Sequence, residues 1–100
     1  MRNSFIHAVR SAADCGRLPL VADIKPVSPR DGRLTGDGDP VDLARTLEAA
    51  GVCALSVVTE PRHFGGSLDL LRRVTAAVRL PVLRKDFISS AGEVDETLDA

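Results

Sequence analysis

Two short apolar runs in this chain each close on a lysine. Leu20-Val21-Ala22-Asp23-Ile24 leads into Lys25, and Pro81-Val82-Leu83-Arg84 leads into Lys85, with Asp86 and Phe87 directly after it. A short apolar run bounded by proline reads as a buried strand. An unpaired ammonium is costly to bury, so each lysine must stand where its strand leaves the core, facing a partner or a ligand. Alternation puts Val21, Asp23 and Lys25 on one face of the first strand and Ala22 and Ile24 on the other. In the later strand Leu83, Lys85 and Phe87 share a face. Taken alone, Lys85 reads first as a strand-end salt bridge to Asp86 or Asp23 and only then as a functional lysine. Two strands that both deliver a lysine at the C-terminal end describe a polar site on a strand-and-helix scaffold.

Other chemistry-bearing residues carry less. The Asp37-Gly38-Asp39 cluster lacks the remaining ligand spacing of a calcium loop, so no metal is expected there. Cys15 and Cys53 are far apart with no C-x-x-C spacing, and read as two reduced core thiols of a cytoplasmic protein. His7 and His63 have no partners at useful spacing and read as surface residues.

The elements that must position the lysines follow from periodicity. Phe5, Val9 and Ala12 recur at helical spacing, so Ser4 to about Cys15 is expected to be a short amphipathic helix, stopped by Gly16 and Pro19. Leu20 to Lys25 is the first strand. Pro26 to Asp39, with three glycines and three aspartates, reads as a long loop of the kind that is usually functional or mobile. Asp39-Pro40 is a strong helix start, with Leu43, Leu47 and Ala50 as its apolar stripe and Gly51 as its end. Cys53 to Val58 is the second strand, and Thr59 to Gly66 a second polar loop carrying Phe64. Ser67 caps a helix in which Leu71, Val74 and Val78 repeat. Val82 to Phe87 is the third strand, and Ser90-Ala91-Gly92-Glu93 is a capping box opening a helix with Val94 and Leu98.

Strand and helix alternate with strand starts roughly thirty residues apart, which implies parallel strands with crossover helices. A Rossmann reading needs a glycine-rich turn after the first strand, and Lys25-Pro26-Val27-Ser28 offers none. A (β/α)₈ barrel collects its chemistry at the C-terminal ends of strands, where both lysines lie. The expected fold class is therefore α/β of the TIM barrel family. A complete barrel takes about 250 residues. The 100 residues here read as a single partial domain, an N-terminal helical extension over 1–17 followed by three parallel strands. Its open sheet edge would invite self-association.

Composition sets the outer limits. Apolar residues make up 44% of the chain, enough for a core, and 27% are charged, with both signs mixed. A net charge of −1 leaves no electrostatic footprint for nucleic acid or an anionic membrane. No run approaches the ~18 apolar residues a membrane span needs. Arg2, Arg10 and Asp14 interrupt what would be the apolar stretch of a signal peptide.

Four blocks, in order, carry a family resemblance: Ala22-Asp23-Ile24-Lys25-Pro26-Val27-Ser28-Pro29, Leu55-Ser56-Val57-Val58-Thr59-Glu60, Phe64-Gly65-Gly66-Ser67 and Pro81-Val82-Leu83-Arg84-Lys85-Asp86-Phe87-Ile88. Together, over about residues 18 to 100, they resemble indole-3-glycerol phosphate synthase. The resemblance implies a cofactor-free carboxy-lyase of tryptophan biosynthesis on a (β/α)₈ barrel. Its substrate would be the phosphorylated small molecule 1-(2-carboxyphenylamino)-1-deoxyribulose 5-phosphate, closed to a ring with loss of carbon dioxide and water. By the same resemblance Lys85 falls on the general acid and Lys25 on a second lysine that contacts the anionic substrate. Ser28 falls on a phosphate-side contact, and Phe64 and Phe87 on the residues that sandwich the aromatic ring. Asp23 stands where the family usually has glutamate, and Arg30 replaces the second serine of S-P-S. The family's general base and remaining phosphate contacts would lie beyond Ala100, so the 100-residue chain alone is expected to be inactive. Two other readings remain: a non-catalytic half-barrel that binds or assembles, and another phosphate-binding barrel enzyme such as phosphoribosylanthranilate isomerase. The isomerase calls for a cysteine at a strand end, whereas Cys53 begins one.

Overall fold

The computed structural model of the protein describes residues 4–36 and 38–100. Arg2 and Asp37, named above in the readings of the N-terminus and the aspartate cluster, lie outside those residues. The chain forms α1 (Phe5–Asp14), β1 (Val21–Ile24), β2 (Val27–Ser28), β3 (Gly32–Arg33), α2 (Pro40–Ala50), β4 (Ala54–Val58), α3 (Pro61–Phe64), α4 (Leu68–Ala77), β5 (Val82–Lys85) and α5 (Ala91–Asp99).

β1, β4 and β5 make a three-stranded parallel sheet with β4 in the centre. Every residue of β4 is buried, as expected for an all-apolar run with a single serine between two neighbours. One face of the sheet is covered by the crossover helices α2 and α4. Ile24, Leu55 and Val57 project into a common core with Val41, Ala44, Leu70, Leu71, Val74 and Val78. The expected α4 stripe is buried as read. The α2 stripe is displaced: Val41 and Ala44 are the buried positions, whereas Leu43 is 39% exposed. The tight contact between α2 and α4 explains this, because the small Ala44 lets the helices approach where a leucine would hold them apart.

Side-chain caps fix the helix starts. Ser4, Asp39, Ser67 and Ser90 accept from the backbone N–H of His7, Val41, Leu70 and Glu93 respectively. The Ser90 box is reciprocal in kind, since the Glu93 carboxylate accepts from the Ser90 hydroxyl and from both the amide and hydroxyl of Ser89.

Several readings change. The Pro26–Asp39 stretch contains a small antiparallel hairpin, β2 paired with β3, and the Thr59–Gly66 stretch contains the short helix α3. Both are too brief for periodicity to register. Cys15 is exposed at the end of α1 and so is no core thiol, while Cys53 is half-buried with its Sγ donating to the Leu20 carbonyl. Val94 and Leu98 are exposed, because α5 meets the sheet through Glu93 and Thr97 and not through its apolar stripe. No helix among the described residues is long and apolar enough to cross a membrane.

The opposite sheet face carries Val21 and Asp23 of β1, Ala54, Ser56 and Val58 of β4, and Leu83 and Lys85 of β5. Val21 and Leu83 are each 42% exposed there.

Candidate functional site

Strand register brings the two lysines together. Ile24 pairs with Val57, and Val58 pairs with Lys85, so Lys25 leaves β1 at the level where Val58 and Lys85 leave their strands. All three lie at the C-terminal edge of a parallel sheet, where crossover loops build sites. One row earlier Asp23, Ser56 and Leu83 are aligned. Asp23 Oδ2 reaches along the open face to within 3.7 Å of Lys85 Nζ. Of the two carboxylates proposed as partners for Lys85, the structure selects Asp23. The side chains are 62% and 36% exposed, so this pair orients the ammonium while contributing little to stability.

Lys25 meets an aromatic wall instead. Its Nζ lies 5.9 Å from the centre of the Phe64 ring, within cation–π range. Phe64 is the last residue of α3, and that four-residue helix is built on Glu60. Pro61 has no N–H, and the next three amides, of Arg62, His63 and Phe64, all donate to the Glu60 carboxylate at 2.8, 2.8 and 3.1 Å. Burial of this carboxyl raises its pKa, but the three amides and the neighbouring His63 outweigh that and hold it below the usual carboxylate range. His63 is on the surface as read, yet it does have a partner, its Nδ1 lying 3.4 Å from Glu60 Oε1. The Gly66 amide then returns to the Glu60 carbonyl at 2.9 Å, closing the loop. Only glycine fits at 66, since a Cβ there would overlap the Val58 carbonyl and the Thr59 backbone.

Under Lys85, the end of β5 is clamped. The Thr59 amide donates to the Lys85 carbonyl at 3.0 Å. The Thr59 hydroxyl donates to Asp86 Oδ2 at 2.7 Å and accepts from Arg84 Nε at 3.0 Å. Arg84 Nη1 continues to the Glu93 carbonyl and Thr97 hydroxyl of α5, at 3.0 and 2.9 Å. Burial pushes the Asp86 carboxyl up, but bonds from Thr59, the Phe87 amide and Arg84, with the Arg84 charge, bring it below its ordinary value.

Lys25, Val58, Glu60, Phe64, Lys85, Asp86 and Phe87 line one cavity of about 360 Å³, within the range of small-ligand sites. Phe87, 76% exposed, stands on its rim. With Asp86 and Glu60 turned toward their own hydrogen bonds, the ammonium groups are the polar groups suited to an anionic ligand. Ser28 is not in the cavity lining. It is buried in the hairpin after β1, its hydroxyl accepting from the Arg30 and Asp31 amides at 3.2 and 3.4 Å. Arg30 projects into solvent. Cys53 lies before β4, at the far end of the sheet from the lysines, where the isomerase reading has no use for it. Among the described residues no three His, Cys, Asp or Glu side chains converge as a metal site.

Sequence reading missed Glu60 and Arg84. Glutamate is an uncommon N-cap, so Glu60-Pro61 carries a weaker start signal than Asp39-Pro40. Arg84 was hidden by its neighbour, although strand alternation already sent it to the face opposite Lys85.

A family model described as indole-3-glycerol phosphate synthase matches residues 1–100. Among curated proteins, the indole-3-glycerol phosphate synthase of Haloarcula marismortui is 54% identical over 88% of this chain and 32% of its own length. That of Halobacterium salinarum is 49% identical over 88% of the chain and 35% of its own length. That of Oceanobacillus iheyensis is 43% identical over 98% of the chain and 36% of its own length. The chain thus spans about a third of the length of the curated relatives it matches.

Proposed function

The chain belongs to the indole-3-glycerol phosphate synthase family, and on that footing we propose that the protein carrying it performs the family's reaction. Residues 21–85 supply the first three parallel strands of a (β/α)₈ barrel, and residues 1–17 an extension ahead of it. The remaining strands, with the general base, belong to the rest of the relatives' length. The phosphorylated substrate 1-(2-carboxyphenylamino)-1-deoxyribulose 5-phosphate enters the lysine cavity, and the protein works in the cytoplasm without a cofactor.

The observation that carries this reading is the convergence of Lys25, Lys85, Phe64 and Phe87 in one cavity at the strand ends. Lys85 donates its proton to the substrate's carbonyl oxygen as the aromatic carbon attacks the carbonyl carbon. The new ring then loses its carboxyl group as carbon dioxide. The hydroxyl formed at the former carbonyl carbon takes up a second proton and leaves as water, while the ring methylene beside the nitrogen gives up a proton, which completes the indole. Asp23, 3.7 Å from the ammonium, aims it at that oxygen. The aspartate is one methylene shorter than the usual glutamate, and it reaches Lys85 along the open sheet face. Lys25 faces the substrate's anionic groups, backed by the electron-rich face of Phe64. Phe64 and Phe87 flank the aromatic ring. Ser28 uses both acceptor positions on its own hairpin, leaving its O–H as a donor to a phosphate oxygen.

The test is direct. The purified full-length protein, given the substrate, is expected to release indole-3-glycerol phosphate and carbon dioxide in equal amounts. A folded full-length protein that binds this substrate and forms no ring product would overturn the reading.

A further inference from the structure

We infer that Glu60 is a positioning residue of this site, acting through Phe64 on Lys25 and on the aromatic end of the substrate. The inference rests on the synthase reading above and adds a residue to which neither its chemistry nor the family blocks assign a part.

A four-residue helix has no stability of its own, because nucleation fixes several backbone angles for one hydrogen bond. Something else must hold α3 in place. The Glu60 side chain, only 9% exposed, supplies an acceptor for each of the three free amides of its first turn. Its own backbone carbonyl anchors the loop's return at Gly66. Gly65 docks the same loop against the β2 residue Val27, where a Cβ would come within 2.9 Å of the valine methyl. Phe64, the residue that ends α3, is the one whose ring stands 5.9 Å from Lys25 Nζ. Glu60 also lines the cavity directly. Its carboxylate therefore sets the position of one cavity wall and, through the cation–π contact, the resting place of one of the two ammonium groups. Removing the carboxylate leaves three amides without an acceptor and lets the ring drift. Misplacement by about an ångström is enough to cost up to ~10²-fold in rate.

A double-mutant cycle in the full-length protein separates positioning from general destabilisation. Glu60→Gln keeps one acceptor oxygen and puts an N–H donor against at least one amide that needs an acceptor. It is expected to lower kcat/KM by roughly tenfold to a hundredfold, chiefly through KM. Made in a Phe64→Ala background, the same substitution is expected to cost less than about threefold, because the group it positions is gone. Glu60→Asp, which keeps a carboxylate, is expected to recover part of the loss, and it carries the cycle where the glutamine variant does not fold. Equal losses in both backgrounds, or no loss in either, overturn the inference. Hydrogen exchange of the Arg62–Phe64 amides gives an activity-independent readout, and unchanged protection in Glu60→Gln overturns it too. A wild-type protein with no synthase activity, whose Arg62–Phe64 amides still lose protection in Glu60→Gln, locates the failure in the synthase reading and not in the hold on Phe64.

Discussion

Arg84 and Lys85 are adjacent cations with opposite circumstances. Strand alternation sends Lys85 to the open face, where its side chain is 62% exposed and its partner, Asp23, is 36% exposed. It sends Arg84 to the covered face, where its side chain is 8% exposed. There it is fixed by Thr59, Asp86, the Glu93 carbonyl and Thr97. The two should therefore fail differently. In the full-length protein Lys85→Ala is expected to leave the melting temperature nearly unchanged, since an exposed pair contributes about 0–1 kcal/mol. Turnover should fall by at least ~10²-fold, the scale of a lost general acid. Arg84→Ala is expected to destabilise by roughly 3 kcal/mol, the cost of breaking a buried ion pair and its hydrogen bonds. Paired measurements of kcat and denaturant midpoint check both. A stable, fully active Lys85→Ala protein removes Lys85 from the proton transfer.

At the scale of elements, β5 delivers Lys85 accurately because its end is tied to two neighbours, β4 through Thr59 and α5 through Arg84. Asp86 is the acidic member of that tie. Its folded pKa is lowered, so its contribution is complete above the unfolded value of about 3.9. That contribution is lost as pH falls through the folded value, which lies lower still. The stability difference between wild type and Asp86→Asn is therefore expected to be at full size above about pH 5 and to shrink below about pH 4. Denaturant unfolding of both proteins across that range measures it, and a difference independent of pH would show that Asp86 is not held as an anion.

The same elements show what the sequence could convey. β1, β4, β5 and the long helices were legible because each repeats its apolar residues over two or more turns or pleats. Leu71, Val74 and Val78 took up their expected buried face. The phase of α2 was misread because Val41 and Ala44, smaller than Leu43, win the helix contact through shape and not hydrophobicity. The hairpin and α3 escaped because their stability comes from single side chains, Ser28 and Glu60, satisfying backbone amides. Such bonds leave no period in a sequence. Lys25, Lys85, Phe64 and Phe87 were legible as candidates and share a cavity. That Asp23, not Asp86, is the partner of Lys85 depended on the register between strands.

For the whole molecule, the two faces of the sheet differ at its outer strands, whereas the central β4 is buried on both. Ile24, Leu55 and Val57 are fully buried beneath α2 and α4, whereas Val21 and Leu83 on the other face are each 42% exposed. β1 and β5 are both outer strands, and each pairs on one side with β4. A parallel sheet is ordinarily covered on both faces, and an unpaired edge is a template for further pairing. In the proposed barrel the remaining strands would cover this face and pair these edges. The isolated 100-residue chain, lacking them, is expected to bury its open face against other copies of itself. Sedimentation or light scattering should then show a mass well above 10.6 kDa that rises with concentration. The same preparation should form no indole-3-glycerol phosphate. A stable monomer that unfolds in one sharp transition would mean that the sheet is closed by this chain alone, and the barrel reading would have to yield to a self-contained fold.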